Sequence, residues 1–427
     1  MNGCNLLNQE SALKEKQVGD EPRVMARLAV SIPSAILRYS ELAPRKIVRA
    51  YAVLCGVVIL IFGQPALFFT QGILVLPIMA LAMASWRAQT LDADHLPNYR
   101  ESVRRPARPL PGPSGRMRTE WIYEAAAFFL LAIIAMVIVS FAFALAEEGI
   151  PIRPQADRGS ATPEITGNGF PASAYILLGI ITLSATLLTS AGRRVAAKFT
   201  HIDPRSFRHG VGLSLISVLV LSMITPLLVR GVPPRTGIDH AAGVQGTSMV
   251  YELLWFVPLA FVAVGWPAHR QLREALARLG LGRLTVRKVM VGVFAGLAMA
   301  AGAALLLDPM VRWVWDLAGW PHSDVGLTPR LFGWAFNPWS ALLVGITAGV
   351  SEELLVRGVL QPRFGLIVSN LAFAALHTYG YGWDGVVSVF ILGCALGVLR
   401  ARTNTTTAIC AHGLYDFATL LGFYLMT

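Results

Sequence analysis

Three short groups of ionisable residues interrupt the apolar C-terminal hundred residues, and their types suit hydrolytic chemistry. Carboxylates and imidazoles are the usual general acids and bases of enzymes. An ionisable side chain at membrane depth costs roughly 2.5–3.5 kcal/mol on insertion scales, so such a residue is a functional candidate. In chain order, the three groups supply Glu352, Glu353 and Arg357, then His377, then His412 and Asp416.

Helix geometry gives the two adjacent glutamates different roles. Glu353 and Arg357 are four residues apart, so they share a helix face and can form an ion pair. Glu352 points about 100° away, and the residue four positions later is Val356, which offers no charge. An unpaired, desolvated carboxylate is suited to act as a general base, and His377 could share a water molecule with it.

The depths of the candidate groups are compatible with one site. Helices are expected over residues 338–362, 365–382 and 404–427, and these put all the groups in a slab roughly 10 Å thick at 1.5 Å rise per residue. His412 and Asp416 are one turn apart on the last of these helices. They could orient a carbonyl group or complete a metal shell.

Composition identifies the elements that must position these groups. The chain has 427 residues, of which 55% are hydrophobic and 14% charged, with a mean hydropathy of +0.57. Soluble domains carry about 25% charged residues, so an ordinary soluble enzyme and a disordered chain are excluded. Because the apolar residues form long uncharged blocks, we predict an all-α, polytopic transmembrane bundle of about ten or eleven helices.

The basic residues alternate between the gaps that separate the apolar blocks, which predicts the orientation of the chain. Residues 1–46 hold seven Lys and Arg, 87–122 seven, 193–210 five and 269–288 six, whereas 147–171, 230–248 and 308–330 hold two each. The alternation requires the block 50–86 to cross twice, breaking at Gly63-Gln64-Pro65. It predicts a multi-pass cell-membrane protein with a cytoplasmic N-terminus.

Three regions follow from this pattern. They are an N-terminal cytoplasmic segment (1–46), an N-terminal transmembrane region (47–307) without assigned role, and a C-terminal core (331–427). The proline- and arginine-rich linker 87–122 is expected to lie along the lipid surface, and a nucleic-acid partner is not expected. Glu252 lies near one end of its apolar block and is interpreted as an interfacial anchor.

The motifs Glu-Glu-x-x-x-Arg, Phe-x-x-x-His and His-x-x-x-Asp resemble those of the CPBP family of intramembrane proteases, over roughly residues 338–420. That family includes type II CAAX prenyl endopeptidases and bacteriocin-processing or immunity proteins. The resemblance implies that Glu352 and His377 activate a water, and that His412 and Asp416 stabilise an oxyanion or hold a metal. Two positions depart from the family: Val356 replaces an aromatic residue, and Asp416 stands where Asn is common.

The resemblance predicts an intramembrane endopeptidase, of metallo- or metal-free type, acting on a peptide or protein that enters from the membrane or its cytoplasmic face. Zinc held by Glu352, His377 and His412 is one possibility that the residues leave open. Prenylated-type peptides are one substrate class. The alternatives are an ion- or proton-coupled transporter, against which the absence of a repeated half argues, and a catalytically silent immunity or binding member.

Overall fold

Helices form all the regular structure that a computed structural model describes, over residues 44–93, 117–147, 172–230, 242–282, 285–323, 329, 332–378 and 380–426. Most of segment 1–46 and of linker 87–122 lies outside these ranges. In chain order, the helices are α1 (Pro44–Phe62), α2 (Pro65–Ala93), α3 (Met117–Glu147), α4 (Ala172–Leu188), α5 (Ser190–Ala196), α6 (Phe207–Arg230), α7 (Ala242–Ala263), α8 (Leu272–Arg278), α9 (Val286–Gly302), α10 (Asp308–Ala318), α11 (Pro338–Glu353), α12 (Gln361–Ala375), α13 (Trp383–Arg402) and α14 (Thr405–Met426).

Eight helices of the described part are long and apolar enough to cross a membrane, or nine if α4 and α5, bent by 95°, are one span. The expected all-α polytopic bundle is therefore confirmed. One of the eight runs is Pro338–Ala375, whose 38 residues contain two legs of a hairpin. The described part thus has eight or nine candidate spans, against the ten or eleven helices expected, and α1 is not among them.

The first apolar block divides where the sequence predicts. Gly63 and Gln64 both have positive φ angles, 69° and 54°, and Pro65 begins the next helix. Proline suits a first helical position because its missing N–H would have no partner there. The block therefore makes two separate helices, α1 and α2.

Helix α14 is held between α11 and α9 by two pairs of glycines spaced four residues apart. Gly345 and Gly349 of α11 lie against Gly413, where any added Cβ would collide with the facing backbone. Gly292 and Gly296 of α9 meet the opposite side of α14 in the same way. Small residues at this spacing let helix backbones approach closely, which is a common packing mode in membranes. The contact with α11 brings the glutamates and His-x-x-x-Asp motifs together.

The chain reverses direction at Gly365, whose φ of 80° is in the left-handed region that favours glycine. On a straight helix Arg357 and Phe373 would be about 24 Å apart. Instead the Arg357 guanidinium lies 5.0 Å from the centre of the Phe373 ring. The returning leg ends at Ala375, so the expected helix 365–382 is too long, and His377 lies in the turn beyond it.

A π-helix, Leu354–Leu360, interrupts the descending leg that was expected to be a regular α-helix over 338–362. It begins directly after Glu353 and contains Arg357. π-Helical turns are rare and occur frequently at functional sites, because they change the direction of the side chains around them. The helix spacing alone does not predict this feature.

Candidate active site

Glu353 and Arg357 form an ion pair in the protein interior. Both are fully buried, and Arg357 Nε lies 3.3 Å from Glu353 Oε2. Arg357 Nη2 donates a hydrogen bond of 2.9 Å to the carbonyl oxygen of Gly393 on α13. A Cβ at position 393 would lie only 3.4 Å from Nη2 and 3.1 Å from the Phe373 ring. The pair therefore links both legs of the hairpin with α13.

His412 connects this ion pair with the other carboxylates. Its Nδ1 lies 3.0 Å from Glu353 Oε1. A carboxylate can only accept a hydrogen bond, so Nδ1 carries the hydrogen and donates it. The other ring nitrogen, Nε2, lies 3.5 Å from Asp416 Oδ2 and 3.9 Å from Glu352 Oε2. His412 is thus bordered by three carboxylates and has a defined orientation.

Glu352 and Glu353 occupy different environments although they are adjacent in the chain. The Glu352 side chain is 26% exposed and lines a cavity, whereas the Glu353 side chain is fully buried. His412, at 3.9 Å, is the charged partner nearest to Glu352 among the ion pairs of the described residues. Glu352 is therefore the glutamate that a molecule in the cavity can reach.

His377 lines the same cavity as Glu352, although it lies beyond the helix end. Its Nδ1 donates to the Phe373 carbonyl oxygen at 2.9 Å, which leaves Nε2 as the nitrogen with a lone pair. The ring also packs edge-on against Phe373, with 4.8 Å between the ring centres. These two contacts orient the imidazole, so that Nε2 can accept a proton.

Tyr381 is a further candidate that sequence reasoning missed. Its ring stacks on His377 with 6.3 Å between centres. Burial, together with the negative charges of Asp416 and Glu352, raises the pKa of Tyr381 to about 12, so the phenol keeps its proton. The sequence gave no sign that Tyr381 lies beside His377, because it falls in the short turn between two apolar helices.

The cavity has a volume of about 400 Å³ and lies between the hairpin and helices of the N-terminal region. Its walls come from α2, α6 and α7 on one side and from both legs of the hairpin on the other. A volume of this size accommodates a short peptide segment or one small ligand. The N-terminal transmembrane region thus forms part of the candidate site.

Glu252 corrects the sequence interpretation. It lines the cavity together with Glu352 and His377, so it is not an interfacial anchor. The apolar block begins at Met249, after the gap 230–248, which predicts that Glu252 lies near a helix end. Helix α7 begins at Ala242, because small and polar residues continue it upstream, and Glu252 lies near its middle.

The residues considered as zinc ligands, Glu352, His377 and His412, are not arranged as a metal site in this structure. In the described ranges, no three His, Cys, Asp or Glu side chains are arranged to hold a metal ion. The groups that converge are His412 Nε2, Asp416 and Glu352, but Nε2 to Glu352 is 3.9 Å. The His412 Nδ1 is occupied by Glu353. We therefore derive no step through a metal.

One comparison with known proteins gives a family match in the C-terminal region. Residues 334–418 match a family model described as type II CAAX prenyl endopeptidase Rce1-like. The uncharacterized protein YpbD of Bacillus subtilis (strain 168) is 33% identical over 97 residues, which are 22% of this chain. The chain spans about half, 51%, of the length of that curated relative. No solved structure matches.

The matched segment contains all three motifs from which the CPBP resemblance was predicted, and that prediction is confirmed. It includes α11, both legs of the hairpin, α13 and most of α14. Over residues 334–418, the C-terminal region of this chain is therefore similar to the family described as type II CAAX prenyl endopeptidase Rce1-like.

Proposed function

We propose that this protein is an intramembrane endopeptidase that hydrolyses a peptide bond with a water activated by Glu352 and His377. The observation that carries the proposal is the separation of the two glutamates. Glu353 is occupied by Arg357 and His412, whereas Glu352 faces a cavity together with His377. This is the arrangement that a general base and its partner need, because the base must be free to take a proton from a bound water.

In the proposed reaction, a water between Glu352 and His377 Nε2 attacks the carbonyl carbon of the scissile bond. Glu352 takes one proton from this water as the C–O bond forms, and the carbonyl oxygen becomes an oxyanion. The proton then passes to the amide nitrogen, and the C–N bond breaks to give a carboxylic acid and an amine. His377 orients the water by accepting a hydrogen bond from it at Nε2.

His412 and Asp416 are assigned to the oxyanion side of the reaction. With Nδ1–H donated to Glu353, His412 directs Nε2 toward Glu352 and Asp416, where a proton on Nε2 could be donated to the oxyanion. We assign Asp416 as a positioning residue for His412, because its Oδ2 is 3.5 Å from Nε2. A carboxylate at position 416 can position His412. A residue that donated a hydrogen bond to the oxyanion from this position would instead need an amide.

The proposed substrate is a peptide or protein that enters the cavity from the membrane or from its cytoplasmic face. The cavity walls are mostly apolar side chains of α2, α6, α7 and the hairpin, which suits an apolar peptide segment. Prenyl-cysteine peptides belong among the candidates, because the matched family is described as prenyl endopeptidases. A lipid bilayer is the environment that the spanning helices require.

The test is cleavage of a peptide library by the purified full chain in lipid nanodiscs, with new termini identified by mass spectrometry. The library should contain prenylated and unprenylated peptides of equal sequence. Reaction in H₂¹⁸O should put one heavy oxygen into the new carboxylate. The matched control is Glu352→Gln, which keeps the side-chain shape and removes the base.

Cleavage by the wild type but not by Glu352→Gln supports the proposal. If the two proteins give the same product pattern, a contaminating protease made the products and the assignment of Glu352 is wrong. If the wild type cleaves nothing but still binds peptides, the chain is a silent member of its family.

A further inference from the structure

Glu252 is a carboxylate of the cavity that the proposed mechanism does not use. It lies near the middle of α7, within a membrane-spanning segment, and lines the cavity together with Glu352. In the part of the chain that the structure describes, its carboxylate forms no ion pair and no hydrogen bond. A charge without a partner is costly at membrane depth, so Glu252 is a candidate for binding a ligand.

The face of α7 that borders the cavity is otherwise apolar. Phe256, Leu259 and Ala263 follow Glu252 at helical spacing, and all three line the cavity. The charge that acts on Glu252 is that of Glu352, which is also negative, so the two carboxylates repel each other. A positive group in the cavity beside Glu252 would relieve this repulsion and would give the carboxylate the partner that the fold does not supply.

The packing of α7 against α11 shows how far the two carboxylates are separated in depth. A Cβ at Gly246 would lie 3.8 Å from the Leu343 side chain, and the end of α7 shares a buried cluster with Leu354, so the two helices run in the same direction. Glu252 lies six residues beyond Gly246, or about 9 Å along the helix axis. Glu352 lies nine residues beyond Leu343, or about 14 Å. The difference of about 5 Å equals one to two residues of an extended peptide.

The surroundings of Glu252 suit a basic side chain better than a metal ion. In the described ranges, no three His, Cys, Asp or Glu side chains are arranged to hold a metal. A lysine or arginine needs only one carboxylate for its charged tip, and its methylene stem packs well on apolar surface. Phe256 and Leu259 supply that surface directly beside Glu252 on the same helix face.

We propose that Glu252 is a specificity-determining residue that binds a lysine or arginine side chain of the substrate, one or two residues from the scissile bond. This assignment rests on the proposed function and narrows its substrate class to apolar segments with a basic residue at a fixed distance from the cleaved bond. Glu352 stays available as the base, because the cation pairs with Glu252. The N-terminal amine of a peptide has the same chemistry and is the competing source.

The test measures binding, so that it does not depend on cleavage. The probes are positional isomers of one peptide of leucine and alanine, in which a single lysine is moved through every internal position. Each isomer has an acetylated N-terminus and a fluorophore at its C-terminus. All isomers have the same composition and net charge, so non-specific attraction to protein or lipid is the same for all. Each is titrated into the full chain in phosphatidylcholine nanodiscs, using Glu352→Gln protein to prevent turnover.

Two further probes separate the sources of binding. One peptide has norleucine in place of lysine, which keeps an apolar side chain of similar length without the charge. The other has norleucine and a free N-terminal amine, which moves the positive charge to the end of the chain.

We expect the best isomer to bind about 10-fold more tightly than the weakest isomer and than the acetylated norleucine peptide. Adding Glu252→Gln, which keeps the side-chain shape, should bring these ratios near 1, and Glu252→Asp should retain part of them. Asp316→Asn is the matched control, because Asp316 is exposed on α10 and does not line the cavity. It should leave the ratios unchanged. Since the isomers are compared on one protein, the comparison holds even where Glu252→Gln folds poorly.

Equal binding of all isomers overturns the proposal, and so does a preference that Glu252→Gln leaves intact. If only the free-amine peptide binds with dependence on Glu252, the cation is the peptide N-terminus and the side-chain assignment is wrong. If Glu252→Gln, in a chain with Glu352 restored, lowers the cleavage of every isomer by the same factor without changing binding, Glu252 moves a proton and the subsite is wrong. A chain that prefers one isomer but cleaves no peptide contradicts the proposed function and leaves this subsite standing. A chain that cleaves all isomers at equal rates does the reverse.

Discussion

Two charged regions of this protein differ in whether their arginines have ion-pair partners. In the catalytic region, Arg357 is matched by Glu353, which also accepts the hydrogen bond of His412. By contrast, four arginines that line the cavity form no ion pair with a carboxylate in the described part of the chain: Arg208, Arg270, Arg278 and Arg363. Buried positive charge is thus neutralised by an ion pair in the first region, whereas the second region keeps four positive charges without one.

The same contrast holds within the catalytic region on a smaller scale. Glu353 is fully buried and paired with Arg357 and His412, whereas Glu352 is open to the cavity and has only His412, at 3.9 Å, as an ion-pair partner among the described residues. Removing one partner of a buried ion pair leaves a charge without compensation and costs roughly 3–5 kcal/mol. Glu352 is partly exposed and lies 3.9 Å from its ion-pair partner His412, so its removal should cost much less. Matched substitutions at the two positions should therefore separate folding from chemistry.

The largest effect on activity is expected for Glu352→Gln. The change keeps the shape of the side chain but removes the proposed base, which should lower kcat by about 10²–10⁴-fold. Folded yield and thermal stability should remain those of the wild type. Single-turnover assays and size-exclusion profiles on the same preparation check both quantities. Retained activity would mean that Glu352 is not the base.

Glu353→Gln should act first on folding. It leaves Arg357 buried without its carboxylate, so we expect a loss of roughly 3–5 kcal/mol of stability and a low folded yield. Unfolding in a denaturing detergent titration measures this loss. The double variant Glu353→Gln with Arg357→Met should recover part of it, because no charge is then stranded. A stability defect at Glu352 instead of Glu353 would reverse the assignment of the two faces.

Gly413→Val tests whether the glycine contact holds the two halves of the catalytic region together. An added side chain would collide with the α11 backbone at Gly345, so we expect a loss of at least about 1–3 kcal/mol of stability and reduced activity. Gly302→Val is the matched control, since nothing lies within 4 Å of a Cβ there. Equal thermal stability of the two variants would contradict the importance of this contact.

Asp416→Asn should have the smallest effect and distinguishes three roles for this position. If Asp416 orients His412, activity should fall about 10–100-fold with unchanged zinc content. If His412 and residue 416 only donate to an oxyanion, Asn should retain or raise activity, most clearly at high pH. A joint loss of activity and bound zinc would identify Asp416 as a metal ligand. Rates across pH and metal analysis of one preparation separate these outcomes.

The sequence predicted the parts of the fold that depend on local periodicity and composition. Spacing alone put Glu353 beside Arg357 and turned Glu352 away, and uncharged blocks predicted the spanning helices. It did not predict the π-helix Leu354–Leu360, because the spacing of the apolar residues there carries no signal that separates it from a regular α-helix. Glu252 was misinterpreted since polar residues extend α7 beyond its apolar block. His209, which is buried and lines the cavity, was overlooked because it lies at the edge of a basic gap, where histidines are usually solvated.

The glycine contacts of α14 also bear on how a substrate gains access. Because α9, α14 and α11 meet backbone to backbone, they have little room to slide or rotate relative to one another. We therefore expect the α11 side of the cavity to move least. Opening and closing of the cavity would then come from the opposite wall, formed by α2, α6 and α7. Residues of the N-terminal region, far from the three motifs in sequence, would then set the rate at which substrates enter and products leave.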